Sequence, residues 1–312
     1  MNDLLTARLE AQHGAITAAD AEACGVTRKA LARMVARGAL VRVHPGRFVE
    51  SARLEGASPE RQHALRTLAV VRGFADRHAA SHVSALALHG LPVIGASHDR
   101  VHVTRTTPGR GRRTGDVVIH SLEGALPVRR IAGVLSVPLP LAVVQATASA
   151  GLVTGVAAAD EALRQQRVTR QQLQDAFTAG QVTHGVGDVR TMLEIADGRS
   201  ESPGESWTRV LFRAMGLPSP ELQAPIADED GWVFAEVDFL FRRQRTIVEF
   251  DGLLKYAGAD GKRALVKEKQ REDRLRSLGF AVVRLTWRDL SDPGRVNRLV
   301  RAALARQGAM VR

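Results

Sequence analysis

The sequence predicts a multidomain chain of the α/β (α+β) class, and three observations lead there. The first fifty residues follow the order helix, turn, helix, hairpin; the middle alternates strands with amphipathic helices; and a Gly/Ser/Pro-rich stretch at 197–204 precedes a region of different composition. That last region holds all three Trp, the single Tyr and six of the nine Phe, the mark of a separate core. At 312 residues the chain has room for two or three domains that each bury a core. The expected boundaries are 1–52, 60–180 and 198–312.

Composition narrows the function classes. The formal net charge is +11, from 44 Lys+Arg against 33 Asp+Glu, which favours a polyanionic partner such as nucleic acid. Arg outnumbers Lys 39 to 5, a ratio that genomic base composition explains as well as function does. Four of the five lysines (Lys255, Lys262, Lys267, Lys269) nevertheless fall close together. One cysteine, Cys24, excludes an intramolecular disulfide and a Cys-based zinc site. No apolar run approaches the ~20 residues of a membrane span and the N-terminus reads as no signal peptide, so a cytoplasmic protein without a membrane partner is expected.

In residues 1–52, stretches 4–12 and 18–23 read as helices, with a turn into a short strand at 14–17 between them and a break at Gly25. Thr27 caps a third helix over 28–36, which ends at Gly38. Residues 40–48, LVRVHPGRF, form a hairpin turning at Pro45-Gly46. This is the order of a winged helix-turn-helix, whose third helix enters the DNA major groove. Thr27, Arg28, Lys29 and Arg33 then lie on or near the exposed side of that helix, and Arg42, His44 and Arg47 decorate the wing. Double-stranded DNA is the expected partner of this face; the alternative is a small helical module that docks protein.

The middle region is expected to carry helices at 62–75 and 78–88, a strand at 101–104, an Arg-rich loop at 105–113 and a returning strand at 117–120. Helices at 140–150, 156–164 and 169–177 follow. His102 and His120 fall side by side in this arrangement. No carboxylate or cysteine at ligand spacing accompanies them, so they are not read as metal ligands.

The most informative stretch is 232–256, WVFAEVDFLFRRQRTIVEFDGLLKY: two strand-like runs carrying Asp238, Glu249 and Asp251, and ending beside Lys255. An ionised carboxylate in a dry core costs several kcal/mol unless it is paired or bound to metal. A hairpin centred on Arg243-Gln244 sets Asp238 opposite Glu249, and Asp251 points to the same face as Glu249. Three converging carboxylates suit a hard divalent cation. The alternative is a solvated face with Arg242, Arg243 and Arg245 as partners.

The region from 198 onward resembles the PD-(D/E)xK restriction-endonuclease superfamily, in the branch similar to very-short-patch-repair endonucleases, over about 110 residues. The resemblance rests on an acid in the first helix (Glu205), an aspartate in a strand (Asp238), Glu249, Asp251 and Gly252 ending the next strand, a charged helix KEKQREDRLRSLG and the strand VVRLTW. It implies a restriction-endonuclease-like α/β/α domain that cleaves phosphodiesters with Mg²⁺ or Mn²⁺. Its metal ligands would be Asp238, Glu249 and Asp251, and its catalytic set those three with Glu205 and Lys255. Asp251 stands where the family motif has lysine, which leaves Lys255 in the following loop to supply the amine. Glu205 also completes a helix-capping box with Ser202. Residues 1–180 resemble AbiEi-type antitoxin regulators through the wing RGALVRVHPGRF and through SHVSALALHGL followed by the strand VHVT. That resemblance implies operator binding and a toxin protein as partner.

Overall fold

The computed structural model describes residues 2–179, 182–252 and 259–310, and its chain divides into two compact units, Met1–Ala196 and Asp197–Arg312. The class is mixed α/β. Among the described residues, no helix is long and apolar enough to cross a membrane.

The first unit begins with α1 (Asp3–Ala11), β1 (Ala15–Thr17), α2 (Ala18–Ala23), α3 (Arg28–Ala36), β2 (Leu40–His44) and β3 (Arg47–Glu50). Local chemistry accounts for each boundary. The Asn2 side chain caps α1, Thr17 and Asp20 form a reciprocal capping box on α2, and Thr27 caps α3. Gly38, at φ +73°, ends the third helix in a conformation that costs glycine little. The strands pair in the order β1-β3-β2, and Leu5, Leu9, Ile16, Leu31, Leu40 and Phe48 close the core beneath them. This is the winged helix-turn-helix order expected from the sequence.

The same unit continues with α4 (Pro59–Arg72), β4 (His78–Ala80), α5 (His82–Leu88), β5 (Val101–Arg105), β6 (Arg112–Arg113), β7 (Val117–His120), β8 (Arg129–Ile131) and β9 (Val134–Ser136), then α6 (Leu139–Ala150), α7 (Leu152–Arg164), α8 (Arg170–Ala179) and α9 (Val186–Ile195). Three expectations change here. Residues 78–88 are not one helix: His78–Ala80 is a strand between β5 and β9 in a six-stranded sheet, β6-β7-β5-β4-β9-β8. Pairing of both alanines with β5, and of Ala80 also with β9, overrides the helix preference of Ala79 and Ala80. Nor does β7 return along β5. It runs parallel to it, with His102 paired to Val118 and Thr104 to His120, because β6 occupies the antiparallel place on its other side. Finally α9, which the sequence reading did not include, belongs to this unit and buries Val189 and Met192.

The second unit runs α10 (Pro203–Ala214), β10 (Glu221–Ala227), β11 (Val233–Phe241), β12 (Thr246–Asp251), α11 (Ala259–Ser277), β13 (Ala281–Thr286), α12 (Trp287–Leu290) and α13 (Pro293–Met310). The sheet order is β10-β11-β12-β13: an antiparallel meander closed by a parallel strand that α11 delivers. Its two faces bury different clusters. Phe212, Phe239, Phe241, Val248, Leu285, Leu290, Val296 and Val300 pack together, and Ile226, Val237, Leu240, Ile247 and Leu275 form the other cluster. The α/β/α layering positions everything that follows.

Candidate functional site

Two sets of charged residues were singled out by the sequence, and the structure treats them differently. On α3 the side chains of Arg28, Lys29 and Arg33 are exposed, as is Arg37 just beyond, which the sequence reading omitted. Thr27 is exposed too, while its hydroxyl accepts the Ala30 amide at 3.2 Å as the helix cap. Arg42 stands exposed on β2.

Arg47 is the correction within this set. Its guanidinium donates to the carbonyls of Pro45 at 2.6 Å and Gly73 at 2.9 Å and lies over the Phe74 ring, 5.6 Å from the centroid. A Cβ at residue 73 would fall 2.1 Å from Arg47 Nε, so the glycine is required for this seat. Burial pushes the guanidinium pKa down, the sign of a group taken from water. Arg47 therefore fastens the wing to the end of α4 instead of presenting its charge. His44 acts likewise, with Nδ1 2.6 Å from Asp116 Oδ2.

In the second unit the acids face inward. β11 pairs with β12 through Phe239–Val248, Leu240–Ile247 and Phe241–Thr246, the register read from the sequence. The next step would set Asp238 opposite Glu249, but the described ladder stops short of it. Asp238 Oδ2 instead accepts the Phe250 amide at 2.7 Å. Burial, then the charge of Glu205, drives the Asp238 pKa up to about 6.

Glu205 is buried at the start of α10. Its carboxylate accepts the Glu201 amide at 2.8 Å, the Ser202 hydroxyl at 2.7 Å and the Gln223 side-chain amide at 2.9 Å. Gln223 reaches it from a left-handed backbone, φ +46°, uncommon for a residue inside a strand. Burial also raises the Glu205 pKa, and those hydrogen bonds oppose it. The cap explains the position of this acid, and the cap is also where it meets Asp238 electrostatically. Gly204 beside it has no room for a side chain: a Cβ would lie 2.0 Å from the Phe250 ring.

Glu249 is buried and paired. Arg271 Nη2, from α11, donates to its Oε1 at 2.6 Å and to Glu268 at 2.9 Å. Arg284, its neighbour across the parallel β12–β13 pair, lies 3.7 Å away and also meets Glu268 and Glu272. Burial raises the Glu249 pKa while the two guanidinia pull it back. Arg271 loses solvent as well, yet Glu268 and Glu249 hold its pKa above the ordinary arginine value. Neither arginine entered the sequence reading. The signals were present in the Glu268/Arg271 spacing on one helix face and in the basic residue inside VVRLTW.

Asp251 ends β12 opposite Thr286. Lys255 lies outside the described residues, while Lys267 and Lys269 are exposed on α11. Among the described residues, these carboxylates do not bring three ligand oxygens within 4.8 Å of one another. Like charges without an ion between them repel, and Arg271 draws Glu249 to itself. The donor chemistry still fits a hard divalent cation: the oxygens of Asp238, Glu249 and Asp251 would hold it.

Residues 3–49 match the family described as "Transcriptional regulator, AbiEi antitoxin". Two uncharacterized proteins, from two strains of Mycobacterium tuberculosis, are each 29% identical to this chain over 274 residues, covering 87% of it and 94% of their own length.

Proposed function

We propose that this chain is a DNA-binding transcriptional regulator of the antitoxin kind. The observation that carries it is the exposed cationic face of α3, in the segment similar to that regulator family. Arg28, Lys29, Arg33 and Arg42 supply phosphate contacts, and the α3 N-terminus with Thr27 approaches the base edges in the major groove. A toxin protein is the partner this reading entails, and the cytoplasm is where it acts. The test is the salt dependence of duplex binding. Replacing Arg28, Lys29 and Arg33 together with Ala should weaken binding and flatten the log–log salt slope by roughly 0.9 per lost phosphate contact. An unchanged slope would reject this face as the DNA contact.

A second reading is favoured by a separate observation, the half-buried Asp238, which feels the charge of Glu205 and is felt by Glu249. In this reading the second unit is a restriction-endonuclease-like phosphodiesterase. Asp238, Glu249 and Asp251 hold Mg²⁺ or Mn²⁺, which would supply charge neutralisation at the scissile phosphate. Glu205 positions Asp238, and Lys255 orients water or phosphate. The order of elements from α10 through β13 and the placement of each acid support it. Glu249 already paired with Arg271 supports the contrary view, a nuclease-like scaffold without activity. Incubation of plasmid, nicked and mismatched DNA with Mn²⁺ decides: cleavage that Asp238→Asn abolishes establishes the enzyme, and intact DNA with the parent protein rejects it.

A further inference from the structure

Far along the chain from the carboxylates, the sheet of the first unit gathers three histidines that neither reading uses. His82 opens α5, His102 lies on β5 and His120 ends β7. Each offers a ring nitrogen, and the three nitrogens lie within 4.8 Å of one another. His102 Nδ1 is 3.0 Å from His120 Nε2, and the His82 and His120 rings stack 3.6 Å apart at 14°. In a tetrahedral site with bonds of about 2.0–2.1 Å, ligand nitrogens are about 3.3 Å apart, so the His102 and His120 nitrogens already stand near ligand spacing, and the stacked His82 ring must splay away from His120 for its lone pair to converge on the same ion.

The surroundings hold these rings in place. His82 sits at φ +53°, in the left-handed region that a side chain this size seldom adopts, and its amide faces Gln145 Oε1 at 3.3 Å. Backbone held in so sparse a region points to a functional demand on the side chain. Ser81 Oγ engages His82 Nδ1 at 2.9 Å, which fixes the orientation of the ring. Ser84 Oγ takes the His102 amide at 2.8 Å, and the Ser81 amide donates to the His102 carbonyl at 3.0 Å, so α5 and β5 are pinned together. Such supporting contacts orient metal-bound imidazoles elsewhere. His82 and His120 also line a cavity of about 600 Å³, with His184, Gln145, Asp175 and Glu123 on its walls.

We propose that His82, His102 and His120 form a binding site for a borderline divalent ion of the zinc class, with the ion facing this cavity. Three imidazoles suit Zn²⁺, Co²⁺, Ni²⁺ or Cu²⁺ and offer little to Mg²⁺ or Ca²⁺. Three protein ligands leave one tetrahedral position for water or for a small ligand in the cavity. Each neutral ring keeps one N–H, so the ion needs a change of tautomer, with the proton moved to the nitrogen that turns away from it.

The experiment is a Zn²⁺ titration of the full chain against a chromophoric chelator, with zinc-edge X-ray absorption on the loaded protein. One equivalent bound with three imidazole nitrogens around it is the expected result. Asp238→Asn should bind the same equivalent, which separates this site from the carboxylates of the second unit. His120→Gln and His102→Gln should each weaken binding at least tenfold while circular dichroism reports a folded chain. No binding by the parent, fewer than three imidazoles at the bound ion, or undiminished binding in both folded histidine variants would overturn the proposal. The spectroscopic count stands on the parent protein alone, so a variant that fails to fold does not protect the idea.

Discussion

In the winged helix the cations stand in solvent: Arg28, Lys29 and Arg33 project from α3 with no acid engaging them among the described contacts. In the second unit the arrangement is inverted, with Arg271 and Arg284 turned onto buried Glu249 and Asp238 held beside Glu205. The first pattern contributes almost nothing to folding, because an exposed charge is as well solvated before folding as after. It remains available to a polyanion. The second pattern ties charge to the fold itself, so its removal is read in stability before it is read in any ligand. The contrast teaches that formal charge predicts a partner only where the structure leaves it outside.

The largest effect expected from breaking the contrast is at Arg271. Arg271→Ala leaves Glu249 buried without its nearest cation and should cost about 3 kcal/mol, measured by urea unfolding at neutral pH. Combining it with Glu249→Leu should recover most of the loss; a double variant as unstable as the single one would show that packing, not charge, was lost.

Next is Asp238. Its pKa in the folded protein, about 6, lies above its ordinary value of 3.8. The folded state therefore binds the proton more tightly than the unfolded chain. This group's contribution is most favourable below pH 4 and declines as pH rises through 6. Asp238→Asn should raise metal-free stability near pH 7.5 by about 2 kcal/mol, allowing for partial solvent access. It should also flatten the fall in stability between pH 5 and pH 7 seen by thermal melting. A parent whose stability does not fall over that range would sink the assignment of a strained carboxylate.

Gly204→Ala drives a methyl group into the Phe250 ring and should cost about 1–3 kcal/mol in the same urea assay. A neutral result would mean that Phe250 can turn aside, and that the Glu205 cap tolerates more movement than its contacts suggest. The smallest effects sharpen the comparison within one hairpin. Arg47→Ala, which empties the seat against Gly73 and Phe74, should lose about 1 kcal/mol. Arg42→Ala should stay within roughly 0.5 kcal/mol of the parent and weaken only DNA binding. Equal stability losses at the two positions would erase the distinction between the fastening arginine and the presented one.

Much of this was legible before folding. The bounds of α2 and α3 coincide with the sequence reading, because each is decided within a few residues: Thr27 as a cap and Gly38 as a stop. The register that brings Asp238 towards Glu249 was legible for the same reason, since a short turn leaves little freedom. The carboxylates of the second unit were found, yet their partners were not. Glu249 meets Arg284 across 35 positions of sequence, and only the parallel β12–β13 pairing reveals it.

By itself, then, the sequence determined the class, the winged helix, the exposed basic face of α3 and the acids that a hydrophobic strand does not need. Tertiary structure decided what those charges touch. It turned Arg47 inward and made β4 a strand by pairing Ala79 and Ala80 with β5 and Ala80 also with β9. It also assembled His82, His102 and His120 from three separate elements. The physical reason is range. Caps, turns and periodicity act over three or four residues and are written in local order, whereas burial, ion pairing and ligand geometry depend on residues whose separation in sequence carries no trace of their proximity in space.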